Sequence, residues 1–228
     1  MTYLDIALAE VGYLEKRSNA DLDDKTKNAG YNNWTKYGRD MTEQVGAPFT
    51  RNAAWCCTFV QWCVKRARGS EALKALGGWT AYCPTAVNNY RRMGKWHTSP
   101  EVGDQIFFKD ANGVACHTGL VYKVDSLYVY TVEGNTSSAS GVVANGGAVA
   151  KKVYKKDYAK IMGYGGIDMT GEEIYNALNE YLRSLPAPDW ALAEIEEAKA
   201  MGITDGTRPM ELIPRYQAAI MAKRAAKK

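Results

Sequence analysis

A thiol, an imidazole and a carboxylate are the side chains with which a protein can cut an amide bond without a metal. Three short segments supply them: Trp55-Cys56-Cys57-Thr58, Cys116-His117-Thr118-Gly119 and Val132-Glu133-Gly134-Asn135. Thiol chemistry needs a thiolate, which a helix N-terminus and a neighbouring imidazolium both favour. Cys56 falls in the first turn of an expected helix. Only two histidines exist. His97 lies in the polar loop Lys95-Trp96-His97-Thr98-Ser99-Pro100, whereas His117 opens an expected strand, an element stiff enough to fix an imidazole. Glu133 and Asn135 are two residues apart and share one side of the next strand. On an antiparallel neighbour, Glu133 comes close to His117 and orients it, the third role of a catalytic triad. The residue types alone also fit another reading, in which the helical cysteine packs as a small apolar core residue and the histidine is merely hydrogen-bonded.

The elements that must hold these groups can be read from periodicity. Residues 2–15 carry Ile6, Leu8, Ala9 and Val11 near one face behind Thr2, and predict a leading amphipathic helix. Residues 18–40, rich in Asn, Asp and Gly, predict an irregular surface loop. Residues 53–68 have apolar positions at 55, 59, 60, 63, 64 and 67 and predict a buried helix ending before Gly69-Ser70, and Pro84-Thr85 starts a short helix to Met93. Beyond residue 104 the pattern changes to short β-branched and aromatic runs at 105–108, 118–124, 127–134 and 148–155, expected to form antiparallel strands. Helices first and sheet second make the chain α+β. Past Gly163-Tyr164-Gly165-Gly166 the composition turns to Glu and Ala, with helices expected at 172–183, 189–201 and 212–226. The expected division is 1–168 as catalytic domain, 169–188 as helix and Pro-containing linker, and 189–228 as a small all-α unit.

Composition excludes several classes. The 228 residues have a formal charge of +4, with 46% hydrophobic and 24% charged residues, the balance of a folded protein. No Lys/Arg block interleaved with aromatics marks a nucleic-acid partner. No apolar run approaches the roughly 18 residues of a membrane span, and Met1-Thr2-Tyr3-Leu4-Asp5 has no basic start before an apolar core, so synthesis in the cytoplasm without a signal peptide is expected. Five cysteines, an odd number with two adjacent, suit free thiols better than disulfides. Their spacing is not that of paired zinc ligands.

Taken in order, Trp55-Cys56-Cys57-Thr58-Phe59-Val60, Pro100-Glu101-Val102-Gly103-Asp104, His117-Thr118-Gly119-Leu120-Val121 and Glu133-Gly134-Asn135 resemble the CHAP family, the cysteine, histidine-dependent amidohydrolases and peptidases. The resemblance extends over about residues 3–166. Asn32-Asn33-Trp34-Thr35-Lys36-Tyr37-Gly38 and Gly163-Tyr164-Gly165 are similar to segments of bacteriophage endolysins. It implies a papain-like fold, Cys56 as nucleophile, His117 as base, Glu133 as orienter and Asn135 in the same network, with Asp104 as a structural turn residue. It also implies an endolysin that cleaves an amide of a Gram-positive-type peptidoglycan and reaches the wall after the host membrane is opened. The alternatives are a catalytically weak wall-binding or scaffold protein, or a cytosolic thiol protease. Trp34, Tyr37, Trp79, Tyr82 and Trp96 are candidates for a substrate groove. No cofactor is required by this chemistry; some related domains take calcium, for which Asp21, Asp23 and Asp24 are candidate ligands without EF-hand spacing. The tail resembles one S-layer-homology-like motif, making Trp190, Asp205, Arg208 and Arg215 candidate contacts to secondary wall polymers. Neither membrane nor nucleic acid is an expected partner; oligomeric state stays open.

Overall fold

In a computed structural model, residues 1–137, 141–142, 146–168, 171–211 and 215–225 are described. The chain divides into two compact units, Met1–Asp168 and Met169–Lys228.

The first unit begins with α1 (Tyr3–Ala9), started by a reciprocal cap in which the Thr2 hydroxyl accepts from the Asp5 N–H while the Asp5 carboxylate accepts from the Thr2 N–H. This helix is shorter than its apolar pattern predicts. Gly12, at φ 92, turns the chain, and the following backbone is claimed by the sheet: Gly12 N–H donates to Val149 O, Val149 N–H to Tyr13 O and Glu15 N–H to Gly147 O. A second difference lies in the expected loop at 18–40. Its last residues form α2 (Lys36–Gln44), because Thr35 caps the Gly38 N–H and Tyr37 and Met41, one turn apart, bury together.

Next come α3 (Cys56–Arg68), a 3-10 turn at Gly69–Glu71, α4 (Ala72–Leu76) and α5 (Cys83–Arg92), with Pro84 tolerated in the first turn of α5. The strands are β1 (Trp96–His97), β2 (Gln105–Lys109), β3 (Ala115–Val124), β4 (Tyr128–Thr136), β5 (Ala148–Lys155) and β6 (Ile161–Gly165), paired antiparallel in the order β1-β6-β2-β3-β4-β5. The α+β class expected from the sequence is therefore the observed one: helices, then a six-stranded antiparallel sheet. β6 has no counterpart in the periodicity because two of its five residues are glycine. Both are required by packing. A Cβ on Gly163 would lie 2.4 Å from the Trp96 ring, and one on Gly165 would lie 2.3 Å from the Tyr90 ring.

Two apolar layers flank the sheet. Tyr13, Tyr37, Trp55, Phe59, Trp62 and Tyr90 pack with Phe107, Leu120 and Val132, so α3 lies against β3 and β4. Ile106, Phe108, Val121, Val129, Tyr154 and Tyr164 form the second cluster. The central helix is thus held at its full length, which fixes the position of its first residue, Cys56.

The second unit holds α6 (Gly171–Ser184), a 3-10 turn at Asp189–Ala191, α7 (Leu192–Ala200) and α8 (Arg215–Ala225). Arg183 pairs with Glu211. α7 buries no residue, and Ile174, Tyr175, Leu178 and Tyr181 of α6 stay exposed. Among the described residues no helix is long and apolar enough to cross a membrane.

Candidate active site

Cys56 is the first residue of α3. The indole N–H of Trp55, the residue before it, donates to the buried Glu15 carboxylate at 2.9 Å, which ties the helix entry to the chain that runs along the sheet edge. No side chain caps this N-terminus. The N–H groups of the first turn therefore keep their donor capacity and their share of the helix dipole for a ligand oxygen.

His117, third in β3, is fully buried, and its Nε2 lies 2.9 Å from Glu133 Oε2 on β4. Glu133 is fixed in turn: the Thr131 hydroxyl donates to Oε1 at 2.6 Å and the Tyr154 hydroxyl to Oε2 at 3.3 Å. Burial, and after it the Glu133 charge, holds the Tyr154 hydroxyl in its protonated, donating form. With Nε2 committed to Glu133, the buried Nδ1, which holds no conventional hydrogen bond in the resting site, is the atom left to take a proton from Cys56. Burial disfavours an imidazolium here. The Glu133 carboxylate, and before it the Cys56 sulfur as it gives up its proton, pull the other way and raise the His117 pKa.

The thiol behaves differently from the expectation of a low-lying thiolate. Cys83, the first residue of α5, places its Sγ 3.8 Å from Cys56 Sγ. That contact and burial push the Cys56 thiol well above its usual range, against the downward pull of His117. The resting sulfur is thus held in its protonated form.

Two glycines make the arrangement possible. A Cβ on Gly119 would sit 2.5 Å from Glu133 Cγ and 2.9 Å from Val132 O; one on Gly134 would sit 2.6 Å from Phe59 Cβ. Gly119 is the space through which Glu133 reaches His117. Gly119→Ala is therefore expected to dislodge the carboxylate, cost about 1–3 kcal/mol of stability by overpacking and lower kcat at least about 100-fold. Thermal unfolding together with an amide-hydrolysis assay checks this; a folded variant at wild-type rate would show that the close approach is not needed.

The other sequence candidates are placed as follows. Asn135 is fully buried at φ 55, and its carbonyl accepts from the Gly146 N–H; the Nε2 bond of His117 goes to Glu133. His97 is engaged elsewhere, by Asp104 at 3.2 Å and the Ser99 carbonyl at 2.7 Å. Asp104 accepts from the Glu101 N–H, as a turn residue does, and burial raises its carboxyl to about 6. Tyr37 has no exposed surface; its ring packs on Tyr13, Trp55, Phe59 and Trp62 and its hydroxyl donates to Glu10, so it belongs to the core and is corrected as a groove candidate. Trp34, Trp79 and Trp96 are half-buried, the last two packed on the core. Tyr82 is 62% exposed and immediately precedes Cys83.

Asp21 pairs with Lys27, Asp23 binds Arg39 through both oxygens, and Asp24 accepts from the N–H groups of Thr26 and Lys27. Among the described residues no three His, Cys, Asp or Glu side chains converge so as to hold a metal. Calcium at these three aspartates would have to break existing pairs. In the second unit Trp190 is 78% exposed, Asp205 accepts from Thr207 within its own turn, and Arg208 lies 3.8 Å from Glu211. The Arg215 side chain lies outside the described residues.

Sequence reasoning missed Cys83, Thr131 and Tyr154. Thr131 had a signal, since it stands two residues before Glu133 and shares its side of the strand.

The family model of the CHAP domain matches residues 46–135, a span that contains Cys56, Cys83, His117, Glu133 and Asn135. A CHAP domain indicates a hydrolase of the amidase or peptidase kind and implies a peptidoglycan substrate. No curated protein and no solved structure matches the chain.

Proposed function

We propose that this protein is an endolysin-type peptidoglycan hydrolase that cuts an amide bond of the bacterial wall with Cys56 as nucleophile, His117 as base and acid, and Glu133 as the group that orients and charges the imidazole. The observation that carries the reading is the buried His117, bonded through Nε2 to Glu133 with Nδ1 left unengaged, beside Cys56 at the start of α3.

His117 takes the Cys56 proton as the sulfur attacks the amide carbonyl. The oxyanion is met by N–H groups of the uncapped first turn of α3. The imidazolium, held up by Glu133, gives its proton to the leaving amine, so the C–N bond breaks and a thioester remains. Water, deprotonated by the same imidazole, then releases the acid. Asn135 supports this network through the backbone that follows Glu133. In this reading the enzyme waits in the host cytoplasm and meets the wall once the membrane is opened, and no cofactor takes part.

Mass spectrometry of muropeptides from digested walls tests the proposal. Either the muramoyl-alanine amide or a stem or cross-bridge peptide bond is expected to open, with no new reducing sugar ends; glycan cleavage in place of new amines would refute it. The second unit, with Trp190 exposed, is assigned to wall polymers. A chain ending at Asp168 is then expected to keep its rate on soluble muropeptides but to lose at least about tenfold on whole cells, because tethering raises the effective substrate concentration without touching the chemistry. Equal lysis by both chains would remove the targeting role.

A further inference from the structure

Cys83 is a buried nucleophile that the hydrolytic cycle does not use, and it touches the sulfur that the cycle depends on. The two Sγ atoms stand 3.8 Å apart, each on the first residue of a core-anchored helix. A disulfide measures about 2.05 Å, so the sulfurs need approach by less than about 2 Å, a movement divided between two side chains. Cys57 also lies close to Cys83, but its Sγ donates to Thr80 O at 3.4 Å, and Cys116 Sγ donates to Phe108 O at 3.6 Å. Any path that admits a substrate carbonyl to Cys56 also admits a molecule as small as hydrogen peroxide.

We infer that Cys56 and Cys83 form an oxidisable dithiol, which a peroxide converts to a Cys56–Cys83 disulfide and a thiol reductant reopens. The chemistry balances in two steps. With its proton passed to His117, Cys56 Sγ attacks one peroxide oxygen; the O–O bond breaks, and the leaving hydroxide takes the proton from the imidazolium and departs as water. Cys56 is then a sulfenic acid. Cys83 Sγ attacks it, the S–O bond breaks, and hydroxide leaves with the Cys83 proton as a second water while the S–S bond forms. Two thiols lose two electrons and the peroxide gains them. The closed form has no nucleophile. Cys83 also spares Cys56 from further oxidation to sulfinic acid, which reductants do not reverse. This function goes beyond hydrolysis and is read out on sulfur, so its test does not depend on which wall bond is cut.

The test uses the full chain, fully reduced, freed of reductant, treated with hydrogen peroxide, denatured in N-ethylmaleimide, digested and mapped by mass spectrometry. The expected product is a linked peptide, two hydrogens lighter than its parts, whose fragments place the bond at Cys56 and Cys83. Two of the five thiols stop reacting with N-ethylmaleimide, and dithiothreitol restores them. In Cys83→Ser, or in Cys83→Ala should serine disturb the core, Cys56 is expected to proceed to sulfinic acid and to stay blocked after dithiothreitol. A Cys57–Cys83 link, or sulfinic acid at Cys56 in the unaltered chain with Cys83 still alkylated, overturns the inference.

Discussion

Cys56→Ala is expected to lower wall hydrolysis by about five orders of magnitude, to the level left by binding and oxyanion contacts alone, while Cys57→Ala keeps most of the activity. The two thiols are adjacent in sequence, so the contrast isolates geometry from composition. Successive helical residues project about 100° apart. Cys56 lies beside His117, whereas Cys57 is fully buried, donating to the Thr80 carbonyl and accepting from Gln61. Its loss removes a weak sulfur bond and some packing, about 1 kcal/mol of stability, and no reacting atom. Release of free amines from purified walls, with circular dichroism to confirm folding, measures both variants. Similar activities in the two would detach the chemistry from Cys56.

The second large effect concerns charge. Glu133→Gln keeps the shape and an acceptor beside His117 but removes a carboxylate that, after Cys56, helps to raise the imidazole. Turnover is expected to fall about 100- to 10,000-fold. The pH profile supplies the sign. His117 must be neutral to take the Cys56 proton, so activity is lost on the acid side as the imidazole is protonated before the thiol is attacked. Removing a group that raises His117 lowers its pKa, and the acid limb moves toward lower pH by about one unit or more. A merely structural role for Glu133 would reduce rate or stability without displacing that limb. An unchanged limb with reduced kcat would therefore assign Glu133 to packing.

The geometry around His117 was legible in the sequence because it depends on strand rules. Two consecutive strands joined by a short turn pair antiparallel, alternate residues share a face, and His117 and Glu133 meet at 2.9 Å. Helix α3 was legible for the same kind of reason, its apolar period being unbroken. What could not be read depends on contacts between distant segments. The apolar pattern of residues 2–15 cannot show that the backbone after Gly12 bonds to β5, nor that Thr35 starts a helix inside a polar stretch. β6 is concealed by glycines whose purpose appears only once Trp96 and Tyr90 lie against them. Cys83 reads as an ordinary core thiol until α5 sets its sulfur beside Cys56, and the resulting burial raises the thiol that the helix dipole was expected to lower.

The most direct test of the account is the appearance of new amino groups in purified peptidoglycan, assayed with the unaltered chain, His117→Ala and His97→Ala side by side. The account predicts amine release by the unaltered chain and by His97→Ala, none above background by His117→Ala, and no new reducing ends in any of them. Amine release that survives in His117→Ala, or disappears in a folded His97→Ala, would contradict it.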